Sequence, residues 1–224
     1  MTKLILVFLS LLSLPLSAQS SAPKGALKVR FLAERSPAGT GQVSLVAKEA
    51  KSPLFDLPIS HLSAPQTPPE RVFAVWSTGL NVSLATVTLP EEGNQFIVLL
   101  VPSKEGGFKP VVISAKDTGF RPGDIYFYNH ADKTVLGYVG TATFTWEPGM
   151  GTSLRPEGAK GDNLYYDVGL GVREKEGDRT LSKARWPVQK QMRMYVFFYI
   201  NPTNGRLDFR AVDEFVEPEA PAEP

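Results

Sequence analysis

The residues able to do chemistry in this chain are few, and their types exclude more than they suggest. Only His61 and His130 carry an imidazole, and cysteine is absent. A blue-copper site needs a thiolate beside two imidazoles, so that chemistry is ruled out. Zinc would accept both histidines with Asp132 or Asp56 on ligand type alone. Each histidine, however, falls at a strand-to-loop boundary in a different half of the chain. Both read as structural or surface residues, with no metal and no cofactor. Nucleophilic catalysis asks for a Ser or Cys beside a base that a carboxylate orients. Ser60 and His61 are adjacent, but neighbours on a strand point to opposite faces, so the pair is expected not to meet. Glycoside hydrolysis needs two acids on facing elements. Asp162 and Asp167 flank one expected strand and Glu91 and Glu92 share a turn, and all four read as solvated loop acids. Asp162, Asn163 and Asp167 are oxygen donors of the kind calcium takes, without a recognisable loop spacing. Gly149, Gly151, Gly158 and Gly161 lack the Lys-Ser/Thr and the following helix of a phosphate loop, so they read as turn glycines. No catalytic residue is assigned.

Aromatic side chains offer the one binding chemistry with a mechanism, because an exposed ring can stack on a sugar or on a partner chain. Trp76, Tyr126, Tyr128, Tyr165, Tyr195 and Phe197 lie in expected strands and are assigned to a core. Trp146 and Trp186 each precede a turn, and they are the candidate surface rings.

The elements that must position these groups are strands. Tyr195 to Ile200 is an unbroken run of aromatic and β-branched residues with no polar face, so a strand here must be covered on both sides. Asn201, Pro202, Thr203, Asn204 and Gly205 supply a tight reversal. Leu207, Phe209 and Ala211 then alternate with Asp208 and Arg210, the period-2 pattern of a strand with one wet face. This hairpin has an echo one hundred positions earlier, where aligning Pro102 with Pro202 sets the apolar run 96–101 against 196–201. Val87-Thr88-Leu89-Pro90 precedes the first hairpin as Ala184-Arg185-Trp186-Pro187 precedes the second. Lys28 to Leu32 and Asp124 to Asn129 open the two halves. The fold class is therefore all-β: two tandem immunoglobulin-like β-sandwich units, residues 26–115 and 120–213, each of a usual size for one sandwich domain.

Between these landmarks the pattern predicts strands over 42–47, 54–59, 71–76 and 81–89, with 71–76 running through a sandwich interior and 63–69 an extended, unpaired loop. In the second half it predicts a pair of strands over 135–139 and 142–146 joined at Gly140. A further strand over 164–168 should end at Gly169 and Gly171, before a solvated hairpin tip over 171–183. Residues 214–224 read as a disordered acidic, Pro-rich tail.

Residues 1–18 read as a signal peptide: Lys3, an apolar core of about a dozen residues, then Leu16-Ser17-Ala18. Gln19, Ser20 and Ser21 interrupt that core too early for a membrane span, so none is expected after leader cleavage. The formal net charge is +1, and the chain without Lys3 is neutral. Neutrality gives no electrostatic reason to seek nucleic acid. An exported chain without cysteine must stand on core packing alone.

KVRFLA at the start, the paired hairpins and the segment FRPGDIYFYNHADKTVLGYVG followed by WEPG resemble a group of exported bacterial proteins built from tandem immunoglobulin-like units, over roughly residues 26 to 213. That resemblance implies a fold and an exported, periplasmic or extracellular address, and brings no catalytic residue with it. The function expected is a non-catalytic structural or protein-interaction module of the bacterial cell envelope. The alternatives are a carbohydrate- or peptidoglycan-binding module using Trp146 and Trp186 and, behind it, a hydrolase of unknown type. The expected partner is accordingly an unidentified protein or a cell-wall glycan.

Overall fold

A computed structural model describes residues 25–116, 119–161 and 164–216. The expected leader over 1–18 and the tail beyond Val216 lie outside the described residues. Every regular element among the described residues is a β-strand, and no helix there is long and apolar enough to cross a membrane. In the first half, β1 (Lys28–Ala33), β6 (Gln95–Pro102) and β7 (Phe108–Ser114) form a sheet in the order β1-β6-β7. A second sheet, β3-β2-β4-β5, uses β2 (Val43–Ala47), β3 (Ala50–Lys51), β4 (Val72–Ser77) and β5 (Val82–Thr88). In the second half, β8 (Ile125–Asn129), β11 (Gly151–Leu154), β14 (Met192–Ile200) and β15 (Leu207–Phe215) are ordered β11-β8-β14-β15. The fourth sheet is β10-β9-β12-β13, from β9 (Val135–Val139), β10 (Ala142–Trp146), β12 (Tyr165–Glu174) and β13 (Gly177–Pro187).

The same connectivity occurs twice. The opening strand of each half runs parallel to the first strand of the closing hairpin, β1 beside β6 and β8 beside β14. All other pairings between these strands are antiparallel. Strand β11 has no named counterpart in the first half, yet the free edge of β1 is not bare. Val29 and Gln66 exchange backbone hydrogen bonds of 2.9 and 2.8 Å, and Ser63 N donates to Phe31 O at 2.9 Å. The 63–69 segment is thus extended but paired, because Ser63 and Gln66 keep the amide hydrogens that its prolines lack.

Side-chain alternation then builds the layers. Along β6, Phe96, Val98 and Leu100 join Phe31, Val43, Leu45, Phe73 and Val87 in a core between the two sheets of the first half. Val196 and Phe198 of β14 do the same in the second half, with Phe127, Phe144, Val168 and Val172. The opposite faces of these two strands meet. Ile97, Leu99 and Val101 pack with Leu32, Ile113, Tyr128, Tyr195, Phe197 and Val212 in a third cluster that joins the halves. Four sheets are therefore stacked in a sandwich-like arrangement with three apolar layers, and the unbroken apolar run 195–200 is covered on both sides as its pattern required.

Four further expectations are corrected. Residues 54–59 form no strand; only Phe55 bridges to Val43, and the chain instead reverses at Lys48 (φ 49°) to set Ala50–Lys51 against β2. Strand β4 does not run through an interior: Phe73 and Val75 are buried, while Val72 is exposed and Trp76 half-exposed on the outer face. Gly169 and Gly171 do not end their strand; β12 continues through them to Glu174, with a bulge at Leu170/Gly171. Finally, Glu214 is no part of a loose tail. It lies in β15 with 5% of its surface exposed.

Because the joining layer is a continuous apolar cluster like the core within each half, the halves are expected to unfold together. Truncating Leu99, which is fully buried and faces the other half, should cost about 2–5 kcal/mol. Denaturant unfolding of Leu99→Ala followed by tryptophan fluorescence checks this; an unchanged midpoint would contradict the packing.

Candidate functional site

Strand alternation decides the fate of the candidate rings. In β10, Phe144 and Trp146 share the inner face while Thr143 and Thr145 point out. Trp146 is therefore buried, stacked on Phe144 at 4.0 Å between centroids and close to Phe127 at 4.6 Å. Its assignment as a surface ring is corrected: standing before a turn does not expose a side chain whose position in the pleat faces the core. Trp186 is half-buried against the same core and lines a small cavity with Ile125, Tyr166, Gln189, Met192 and Met194. Of the rings assigned to a core, Tyr128, Tyr195 and Phe197 are buried, whereas Tyr126 and Tyr165 are only half-buried. Burial pushes the Tyr126 hydroxyl up to about 12, with the neighbouring Tyr128 adding to the shift. Among the described residues the rings that do face solvent are Phe215, at the end of β15, and Tyr138, 37% exposed. Tyr138 alternates with buried Val139, a period-2 signal that was present in the sequence.

Neither histidine reaches a catalytic arrangement. Ser60 and His61 lie in a bend, not a strand, so their side chains are free to turn together, and Ser60 Oγ comes within 3.3 Å of His61 Nδ1. That corrects the expectation that they would not meet. Both are exposed, and no carboxylate among the described residues bonds His61. His130 sits at the junction of the halves, with Nδ1 4.0 Å from a Glu34 carboxylate oxygen, beyond hydrogen-bond length. Its Nδ1 is buried without a partner. Burial lowers the His130 pKa, Glu34 and a bond to the Pro102 carbonyl pull it back up, and Arg35 and Lys104 press it down further. An open groove of about 790 Å³ runs past it, lined by Arg35, Pro102, Lys104, Tyr128 and Asp132 among others. No group of three or more His, Asp or Glu among the described residues is placed to hold a metal ion. Asp162 and Asn163 of the calcium-type set lie outside the described residues, and Asp167 is bonded by Lys160 at 2.9 Å.

The densest polar chemistry was missed from the sequence. Arg193 and Glu214 are both about 5% exposed. Arg193 Nε donates to Glu214 Oε2 at 2.9 Å and its Nη2 to Oε1 at 3.0 Å, a bidentate pair. Tyr195 Oη donates to Oε2 at 2.6 Å, and Arg30 reaches across from β1 to Oε1 at 2.6 Å. Arg193 Nη1 also donates to the Ala115 carbonyl at 3.0 Å, and the guanidinium lies 5.0 Å over the Phe120 ring. Burial beside the Glu214 charge holds the Tyr195 hydroxyl well above its ordinary range. One carboxylate thus gathers three donors from both halves. A signal existed: the closing hairpin pairs Ile200 with Leu207, and running that register outward sets Arg193 opposite Glu214. Away from this cluster, Arg210 donates to the carbonyls of Ile59 at 2.5 Å and Ala33 at 3.1 Å, a second tie between halves.

The chain matches no protein-family model, and no curated protein sequence matches it. Function must therefore be argued from these geometries.

Replacing Glu214 by Gln leaves the buried Arg193 guanidinium, and the half-exposed one of Arg30, without their counter-charge and should destabilise by about 3–5 kcal/mol, readable as a lowered urea midpoint. His130 generates a pH dependence. Its lowered pKa means the unfolded chain takes up a proton that the folded chain resists, so its contribution is whole above about 6.5 and is lost as the pH falls. Between about pH 7.5 and 5 the wild type should lose more stability than His130→Gln. Parallel pH profiles for the two would refute this.

Proposed function

We propose that the chain is an exported, non-catalytic structural or protein-interaction module of the bacterial cell envelope, built from two tandem immunoglobulin-like units. The observation that carries this reading is where the polar investment lies. Arg30, Arg193, Tyr195 and Glu214 are engaged inside the junction, where they align two sandwich-like halves and are not free to meet a substrate. The recurrence of strand order in the two halves supports a duplicated unit. A rigid piece of this kind exposes long sheet edges, and β13 is the longest: eleven residues, mostly exposed, at the margin of its sheet. An edge of this kind can accept a strand from a partner, while its Arg179, Lys183 and Arg185 discourage pairing with a second copy of itself. An exported address rests on the leader-like pattern of residues 1–18.

A second reading, a carbohydrate- or peptidoglycan-binding module, loses its Trp146 platform and keeps only a partly covered Trp186. What favours it is the exposed Tyr138, with Lys160, Asp167, Lys183 and Arg185 lining the same surface. A hydrolase has no comparable support, since Glu34 stands too far from His130 to orient it.

Capture from a bacterial envelope fraction on the immobilised chain from Gln19 tests the first reading. It is expected to recover a defined protein that soluble wall sugars do not displace. Retention on the wall polymer itself, lost on adding sugar, would replace this reading with the second.

A further inference from the structure

The outer face of the β10-β9-β12-β13 sheet carries an open trough of about 520 Å³, lined by Tyr138, Lys160, Asp167, Lys183 and Arg185 among others. Its construction follows from register. Gly169 of β12 is paired with Tyr138 on one side and with Lys183 on the other, and two residues back Asp167 is paired with Arg185. Val168 and Leu170 point into the core, so these two rows face outward. A Cβ on Gly169 would stand 2.3 Å from Tyr138 Cε1, 2.7 Å from Cζ and 3.0 Å from Oη. The phenol therefore lies across the β12 backbone, in space that only a glycine leaves open. A cross-strand ring covering a strand glycine is ordinary packing by itself. The charges beside it are not accounted for that way.

Two cations hold a single carboxylate, and a third, Lys183, lines the same trough. Asp167 receives Lys160 Nζ at 2.9 Å and Arg185 Nε at 3.6 Å, and the Arg185 guanidinium lies 4.7 Å over the Tyr165 ring. Lys183, exposed in the Tyr138 row, has no acidic partner among the described residues. The hydrogen bond from Lys160 holds the Asp167 carboxyl below its ordinary range, so the acid stays ionised; Lys160, Lys183 and Arg185 against this one acid still leave the surface an excess of positive charge.

From this arrangement we infer that the trough is a binding site for a carboxylated saccharide. The apolar face of a pyranose ring stacks on Tyr138, and the sugar carboxylate is taken by Lys183 and Arg185. Adjacent strands are about 4.8 Å apart, and the phenol already lies over β12, so a uronate ring stacked on it brings its carboxylate toward Lys183 on the next strand. Asp167 is left to accept from ring hydroxyls. The inference rests on the carbohydrate-binding reading and is independent of any protein partner.

Calorimetric titration of the chain with hexagalacturonate, and with its fully methyl-esterified form, tests it. The free acid should bind saturably, weaken with added salt, and lose at least about tenfold in affinity on esterification or in Tyr138→Ala or Lys183→Gln. Circular dichroism and the thermal midpoint establish that each variant folds. Should Tyr138→Ala fail to fold, Lys183→Gln, an exposed substitution, carries the test. Binding of neither polymer overturns the inference together with the carbohydrate-binding reading. Equal binding of both overturns the role of the carboxylate while leaving that reading in place. Binding that neither variant weakens puts the sugar elsewhere and overturns the site.

Discussion

Strands β6 and β14 have no solvent face, and the remainder of the molecule is arranged to provide them with two apolar neighbours each. A strand buried on both sides must lie in a sheet with a layer above and below. One neighbour is the sheet that completes its own half. The other can only be the equivalent sheet of the opposite half, so Ile97 and Leu99 meet Tyr195 and Phe197. That contact gives the junction the character of a core rather than of a linker.

Within this apolar layer, Glu214 sets the alignment. Apolar packing is non-directional and tolerates sliding, whereas a carboxylate that accepts from Arg193, Tyr195 and Arg30 fixes both distance and angle. Burying these charges is not by itself a source of stability. Its consequence is specificity of arrangement: any displacement of one half along the other strands a guanidinium without its acid. Arg210, bonded to the carbonyls of Ile59 and Ala33, adds a second fixed point. With the inner layers committed in this way, polar side chains are left to the groove beside His130 and to the outermost sheets and their edges. On the outer sheet the side chains of β9, β12 and β13 present a phenol and a cluster of cations.

Legibility from the sequence followed the range of the interaction. The closing hairpin, its earlier echo and the 135–146 strand pair were readable because turn residues and period-2 alternation act over a few positions. The half-exposed Trp76 and the buried Trp146 were misjudged for one reason. Which face of a strand is wet depends on the sheet it joins, and apolar composition does not record that. The glycines of β12 looked like strand ends. They are places where Tyr138 and a bulge meet the backbone, and a cross-strand partner about thirty residues away leaves no local mark.

The sequence by itself determined an all-β chain, the closing hairpin with its two-sided burial, and the lack of any thiolate chemistry. Each of these follows from residue type and nearest-neighbour pattern. Only the tertiary structure decided that Glu214 is the electrostatic centre of the junction, that Trp146 packs inside while Tyr138 faces out, and that His130 stops short of Glu34. These outcomes depend on distances between residues far apart in the chain. Such distances are set by how sheets stack, and stacking is a collective result of burial that no single segment encodes.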